Sequence, residues 1–564
     1  MMLYIGRPGR NSAGAFVTLH WFDMIMKLQF ITLTTPRSLA TLLPILFLSL
    51  DAPARDWPQW AGTPGKNMVS PEKGLPESFV PGEKDSHSGQ IILSTAKNVQ
   101  WGVRIGTTTY GSPTVAGGKV FIATCEDRKG FFKCLDARTG KLLWQYTAPH
   151  RTVPEKIDGD WKFMFGRITP NLGICSTAAV DGDRVYFVNH RCEVLCLDVN
   201  GAPKGSAAPI TTEATGTNPP AAPNVPGARV VWAYDMWDAA GVRPADACNG
   251  SPLIDGNLVY VCTSNGTDRD AQIAYADNRK TPAPDAPNLI VLEKKTGRLV
   301  ATDEAKEIGP RLLHGEWSSP SLAKVGGRKL IFFGGGDGVC YAFEALSKVP
   351  KEPVKLKTVW SFDCNPPEYK SFGGLDWASH YSLGDKRLKQ SLNKTNDGSF
   401  VGMSEIIATP VPYKNRVYVA IGRDPEHGRG RGALWCIDAT KTGDITQTGK
   451  VWCYQGLDRT MSTVSIADGL LYIADVAGRL YCLDAETGEV YWIHETQAGA
   501  WSSTLVADGK IYLPTLKHLW VLAAGKEKKV LSQINLGAGM YASPVVADGT
   551  LYIGSRTYLW AVQK

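Results

Sequence analysis

The sequence predicts an all-β fold, an eight-bladed β-propeller whose four-stranded antiparallel blades close into a ring. Three observations carry that prediction. A short motif centred on Ser or Thr recurs eight times, and β-rich runs follow it. The spacing of the copies shrinks to about 40 residues, the length of one four-stranded unit. The chain ends one strand short of a full unit, while a spare strand stands before the first copy.

The copies are "GSPTV" (111–115), "CSTAA" (175–179), "GSPLI" (250–254), "SSPSL" (318–322), "ATPVP" (408–412), "MSTVS" (461–465), "SSTLV" (502–506) and "ASPVV" (542–546), with Ser or Thr in second place throughout. Their third residues lie 64, 75, 68, 90, 53, 41 and 40 apart, so the last unit is the bare one. After most copies comes a polar turn such as "ADG", then a second run such as "KVFIAT" or "LLYIAD". A third run ends in a "CLD"-like triplet, a "TG" turn follows, and a fourth run often carries Trp. After the eighth copy only "YASPVVADG", "TLYIGS" and "YLWAVQ" remain. The missing fourth strand is "NVQWGVRIG" (98–106), so one blade is expected to hold both ends of the ring and remove its open edge. The expected layout is 1–54 signal peptide, 55–97 N-terminal extension and 98–564 propeller.

Residues 41–50, "TLLPILFLSL", form an apolar run too short to span a bilayer, and Ala52 and Ala54 supply the small-x-small pattern of a cleavage site after Ala54. Such a signal peptide has ordinary proportions if translation starts at Met24 or Met26. The expected location is periplasmic or secreted. No lipid anchor is expected, because the first cysteine is Cys125, far beyond the cut. The net charge of +7 falls to +5 beyond residue 54, and "KRLK" and "KEKK" are isolated, which excludes nucleic acid as a partner class. A monomer is expected.

Cys134, Cys196, Cys436 and Cys482 share one slot in the third strand, which elsewhere holds Val291, Ala342, Val521 or Ala561, so the slot reads as packed core. Cys125 with Cys134, Cys175 with Cys192 and Cys248 with Cys262 are candidate disulfides. Gly140, Gly297, Gly443 and Gly488 stand where the turn needs positive φ, and Asp136, Asp198, Asp438 and Asp484 can accept from turn amides. Trp144, Trp492, Trp101, Trp232, Trp360 and Trp452 are expected on outer strands, filling the wedge between blades.

The long loops 148–173, 235–249, 264–288, 301–317, 361–406 and 422–432 should share one face, which makes the channel mouth there the candidate site. The excursion 200–228 should leave the opposite face. Just before the inner strands stand Tyr110, Asn249, Trp317, Arg459, Trp501 and Tyr541, candidate ligand-binding residues whose rings and amide suit a planar ligand, a peptide or a sugar. Glu316 and Glu405 are the candidate catalytic carboxylates. Asp424, Glu426 and His427 in "RDPEHG" are the candidate divalent-metal ligands, with Asp268 and Asp270 a weaker acidic pair.

The repeated "CLDAxTGxxxW" pattern resembles the pyrroloquinoline quinone (PQQ) β-propeller repeat of quinoprotein alcohol dehydrogenases and of the propeller lipoprotein of the bacterial outer-membrane assembly machine. The resemblance implies three functions. The first is a ligand- or protein-binding scaffold that uses the loop-rich face. The second is a PQQ-dependent alcohol or sugar dehydrogenase, with Ca²⁺ polarising the quinone and a carboxylate as base. The third, from propellers at large, is a polysaccharide hydrolase or lyase using Glu316 and Glu405. The sequence lacks both the adjacent cysteine pair that the resemblance implies for alcohol dehydrogenases and a C-x-x-C-H haem attachment site, which favours the scaffold.

Overall fold

The computed structural model describes residues 55–127, 129–148, 172–203, 226–245, 247–266, 281–303, 308–372, 375–376, 403–425 and 431–564, all within the unit Pro53–Lys564. The expected signal peptide lies outside the described residues, as do Asp268, Asp270, Glu426 and His427. Eight antiparallel sheets form the ring. The first is built from Thr114–Ala116, Lys119–Glu126, Lys129–Asp136 and Leu142–Ala148, from the channel outwards. In the eighth, Val545–Ala547, Thr550–Gly554 and Tyr558–Val562 are completed by Val99–Arg104, with Ala561 opposite Trp101. Both ends of the ring therefore share one blade, as the sequence predicts.

The cysteine slot has a geometric cause. In the sixth blade Tyr472 of the second strand faces Cys482 of the third, which faces Trp492 of the fourth. The two rings approach across the slot to a centroid distance of 6.1 Å. The same trio recurs as Tyr186, Cys196 and Trp232, and as Tyr418, Cys436 and Trp452. Ala342 and Ala561 fill the slot between Phe332 and Trp360 and between Tyr552 and Trp101. Where the fourth strand offers Ala301 or Ser532 instead of Trp, the slot holds the larger Val291 or Val521. Slot volume and ring volume thus compensate, as close packing requires.

Those tryptophans also fasten neighbouring blades. The indole N–H of Trp101 donates to the Ala137 carbonyl in the next blade's turn (2.9 Å), Trp144 to Val199 (3.0 Å), Trp452 to Ala485 (3.2 Å) and Trp492 to Gly525 (2.9 Å). A Cβ at Gly140 or Gly488 would stand 2.7 Å from the indole beneath it, and both glycines have positive φ (70° and 78°). Asp484 accepts the amides of Glu486 (2.8 Å) and Thr487 (3.0 Å). The turn motif is spent on its own geometry.

None of the twelve cysteines stands in a disulfide, and eleven are buried. None of the three expected disulfides forms. Cys125 lies opposite Gly130 while Cys134 lies opposite Phe121, so the two sit far apart along one ladder. Cys262 Sγ packs so tightly on Gly250 that a Cβ there would approach to 2.1 Å, and Cys175 and Cys192 are likewise packed core. Burial pushes the Cys482 thiol up to about 12, which keeps it protonated and inert.

Residues 57–72 form a strap along the inner edges of the blades. Trp57 exchanges two backbone hydrogen bonds with Val115 (2.8 and 3.0 Å). The amides of Val180, Leu322 and Val506 donate to the carbonyls of Pro58, Pro64 and Met68 at 2.7 to 2.9 Å, and Ile466 donates to Asn67 Oδ1 at 2.8 Å. Val69–Ser70 runs parallel to Leu505–Ala507, and Glu72 accepts from Gly549 in the last blade (3.0 Å). Lys66 turns within the strap at φ 58°, fully buried, with Nζ 2.8 Å from Gln59 Oε1; burial pulls its ammonium down to about 7.

Two outcomes follow from this packing. Cys482→Val should overfill the slot between Tyr472 and Trp492 and cost about 1–3 kcal/mol in denaturant unfolding, whereas Cys482→Ala should cost about 1 kcal/mol or less. Because the folded pKa of Lys66 lies below its unfolded value, the unfolded chain binds the extra proton between about pH 7 and 10.5, so this residue makes stability rise with pH across that window. Lys66→Met should flatten the rise and raise the melting temperature most below pH 7, as read by calorimetry.

Candidate functional site

Each inner strand is preceded, two residues earlier, by a buried hydroxyl that faces the channel: Ser112, Thr177, Ser251, Ser319, Thr409, Thr463, Ser503 and Ser543. The amide of one reaches the hydroxyl oxygen of the next. Seven such bonds, at 2.8 to 3.1 Å, run from Ser112 to Thr177, Ser251 and Ser319, and from Thr409 to Thr463, Ser503, Ser543 and back to Ser112. Between Ser319 and Thr409 the strap takes over, and Trp60 Nε1 donates to Thr409 Oγ1 at 3.0 Å. In two copies the ring residue is not the one in second place. In "CSTAA" and "MSTVS" the strand begins one residue later, so Thr177 and Thr463 join the ring instead of Ser176 and Ser462.

Two residues further towards the mouth lies a second layer: Tyr110, Cys175, Asn249 and Trp317, then Ile407, Met461, Trp501 and Tyr541. Strand-like alternation explains the offset, since every second side chain points into the channel. Above the hydroxyl ring these walls form a funnel open to solvent, with Trp60 also against it. Blades seven, eight and one supply a continuous aromatic arc. Tyr110 and Tyr541 approach to a centroid distance of 4.8 Å, and Trp501 meets Tyr541 edge-on at 5.3 Å. Across the funnel Trp317 is locked by Nε1 bonds to the carbonyls of Ala245 (3.2 Å) and Ala247 (3.0 Å), with His314 edge-on at 4.3 Å.

Five of the six expected ligand-binding residues, Tyr110, Asn249, Trp317, Trp501 and Tyr541, line this funnel. Arg459 does not, because the sixth blade fills its place in the layer with Met461. Asp424 reaches the lining, while its expected metal partners Glu426 and His427 are outside the described residues. Glu316 and Glu405 are buried behind the walls. Glu316 Oε2 accepts the Gly336 amide (2.8 Å) and Glu405 Oε1 the Asp424 amide (2.7 Å), so each holds a loop of its blade. Burial raises the carboxyls of both; nearby Asp337 adds to the rise at Glu316, and His314 opposes it at Glu405. Sequence reading missed Trp60, Leu172, Cys175, Ala247, Ile407 and Met461 as lining residues. The first lies outside the repeat, Cys175 reads as a disulfide candidate, and the others carry no chemical signal.

PQQ carries three carboxylates and an ortho-quinone. The described lining offers one amide, one carboxylate and no Lys or Arg. Among the described residues no three His, Cys, Asp or Glu side chains come together as a metal site. These residues do not fit a tricarboxylate held with a divalent ion.

The sequence profile of outer membrane protein assembly factor BamB matches residues 86–218 and 424–535. No curated protein matches the chain. Similar solved structures include a europium-containing methanol dehydrogenase, at 12% identity and TM-score 0.53, covering 90% of this chain and 98% of the other. BamB from Moraxella catarrhalis aligns at 13% identity and TM-score 0.48, covering 83% and 99%. Quinohemoprotein alcohol dehydrogenase from Comamonas testosteroni aligns at 11% and TM-score 0.41, covering 90% and 80%. The chain thus resembles the PQQ-like β-propellers in its repeat and shares their fold.

The raised carboxyl of Glu316 predicts a pH dependence. Its folded pKa lies above the unfolded value, so the unfolded chain loses the proton first and stability falls as pH rises past about 4.5. In denaturant melts Glu316→Gln should gain more stability over wild type at pH 8 than at pH 5.

Proposed function

We propose that this chain is an exported binding scaffold whose channel mouth receives an uncharged, largely apolar group, either a small molecule or a side chain offered by a partner. One observation carries the reading. The funnel is walled by aromatic and aliphatic side chains, is backed by a hydroxyl ring, and has no cationic side chain in its described lining. Such a site gains from removing apolar surface from water, and its few polar groups orient what enters. The apolar run 41–50 with Ala52 and Ala54 supports export to the periplasm or beyond. The match to an assembly factor supports a protein as the source of the bound group.

The dehydrogenase reading leans on a shared fold and needs charges that the described lining lacks. Hydrolysis by Glu316 and Glu405 is weaker still, because each carboxylate already holds a backbone amide outside the funnel.

Titration with N-phenyl-1-naphthylamine, a neutral aromatic probe, should show one saturable site at micromolar concentration, weakened about tenfold by Trp501→Ala. A parallel titration with PQQ and Ca²⁺, followed by tryptophan fluorescence and dye-linked oxidation of alcohols and sugars, should show neither saturation nor turnover. Saturable quenching with turnover would make the protein a quinoprotein and reverse the assignment.

A further inference from the structure

We infer that the eight-hydroxyl ring is a donor site for a carbonyl group, and that the funnel selects uncharged aryl carbonyl compounds (aromatic ketones, amides or esters) entering carbonyl first. This rests on the binding reading above and names the ligand class for it.

A Ser or Thr hydroxyl has two lone pairs and one proton. In seven of the eight ring residues a neighbouring blade's amide takes a lone pair, and in Thr409 the Trp60 indole does so. Among the described residues none of the eight hydroxyls donates its own proton to a protein acceptor. All eight are more than nine-tenths buried, and all line the funnel. Each hydroxyl therefore keeps one of its two lone pairs but has its single proton wholly uncommitted, so half of the ring's accepting capacity is already spent while all of its donating capacity is open to an acceptor. A ligand that displaces water from these protons must bring acceptor atoms in its place.

The walls decide the rest of the ligand. Above the ring, Tyr110, Trp501 and Tyr541 form one side, Ile407 and Met461 another, and Asn249 is the one amide in that layer. The body that fits is planar and apolar, with polarity at its tip. With no Lys or Arg in the described lining, a carboxylate or phosphate tip would enter without a counter-charge, whereas a neutral carbonyl needs none.

The test uses the full propeller and compares acetophenone with ethylbenzene, benzoate and benzylammonium by displacement of N-phenyl-1-naphthylamine. Acetophenone should bind at least tenfold more tightly than ethylbenzene, benzoate, which meets no cation, should compete poorly, and benzylammonium, whose one counter-charge in the described lining is Asp424, should bind more weakly than acetophenone. Infrared difference spectra of ¹³C=O-labelled acetophenone should show the bound carbonyl stretch moved to lower frequency. Ser503→Ala and Thr463→Val each leave a neighbouring amide without its acceptor and so should lower the melting temperature, and at a temperature where both variants are folded they should cut the acetophenone preference severalfold. Ser462→Ala, which removes a neighbouring hydroxyl outside the ring, should leave the preference intact. If the probe binds but acetophenone matches ethylbenzene, or its carbonyl stretch is unshifted, the donor ring is overturned while the binding reading stands. If the probe does not bind, both fall.

Discussion

A ring of blades leaves one problem that no blade can solve alone: every innermost strand turns an unpaired backbone edge towards the axis. A buried amide without a partner costs about 1–3 kcal/mol, and eight of them would consume the typical 5–15 kcal/mol stability of a folded domain. This chain answers twice. Ahead of seven of the eight inner strands a Ser or Thr hydroxyl receives the neighbouring blade's amide, and at Thr409 the Trp60 indole takes that place. Lower down, the strap receives the amides of Val115, Val180, Leu322, Ile466 and Val506. The fifth blade has Pro412 at the matching position, a residue with no amide proton to satisfy.

The outer half of each blade obeys a different rule, set by volume. Six blades place a ring on the second strand, a Cys or Ala on the third and a Trp on the fourth; the two without Trp enlarge the third-strand residue to Val. A register slip directly after the slot residue occurs in all eight third-to-fourth strand pairings, bending the strand that carries the indole. The indole then reaches the turn of the next blade, so packing within one blade and fastening between two use the same side chain.

Architecture was legible in the sequence because repetition averages out local ambiguity. Eight copies fixed the blade count, the shared terminal blade and the docking tryptophans. Single residues were less legible wherever one copy departs from its siblings. "CSTAA" and "MSTVS" offer two adjacent hydroxyl residues, and only the start of the strand tells which faces the channel. Arg459 and Met461 differ by one turn of the same alternation, and the charged residue attracted the assignment. Glu316 and Glu405 stand beside the mouth in sequence, yet Glu316 lies three residues before its ring residue, out of phase with the lining, and Glu405 is turned aside to hold the Asp424 amide. The strap was read as an extension because "DWPQWAGTPGKNMVS" has no periodicity of its own. Its order is borrowed from blades hundreds of residues away.

That borrowing bears on how the molecule comes into being. The strap is made before any blade, yet Trp60 waits for Thr409, Asn67 for Ile466 and Glu72 for Gly549, at separations of 349, 399 and 477 residues. Contacts of such span form late and slowly, since chain entropy must be surrendered before they are rewarded. Until the eighth blade arrives, the growing ring exposes its inner edges and a ready strand, which is when a nascent chain is most open to mispairing with its neighbours. Once the ring is shut, the strap lies along the inner edges of a closed circle. Its departure would require several blades to loosen together, so the finished fold is guarded by a kinetic lock as well as by its depth of energy.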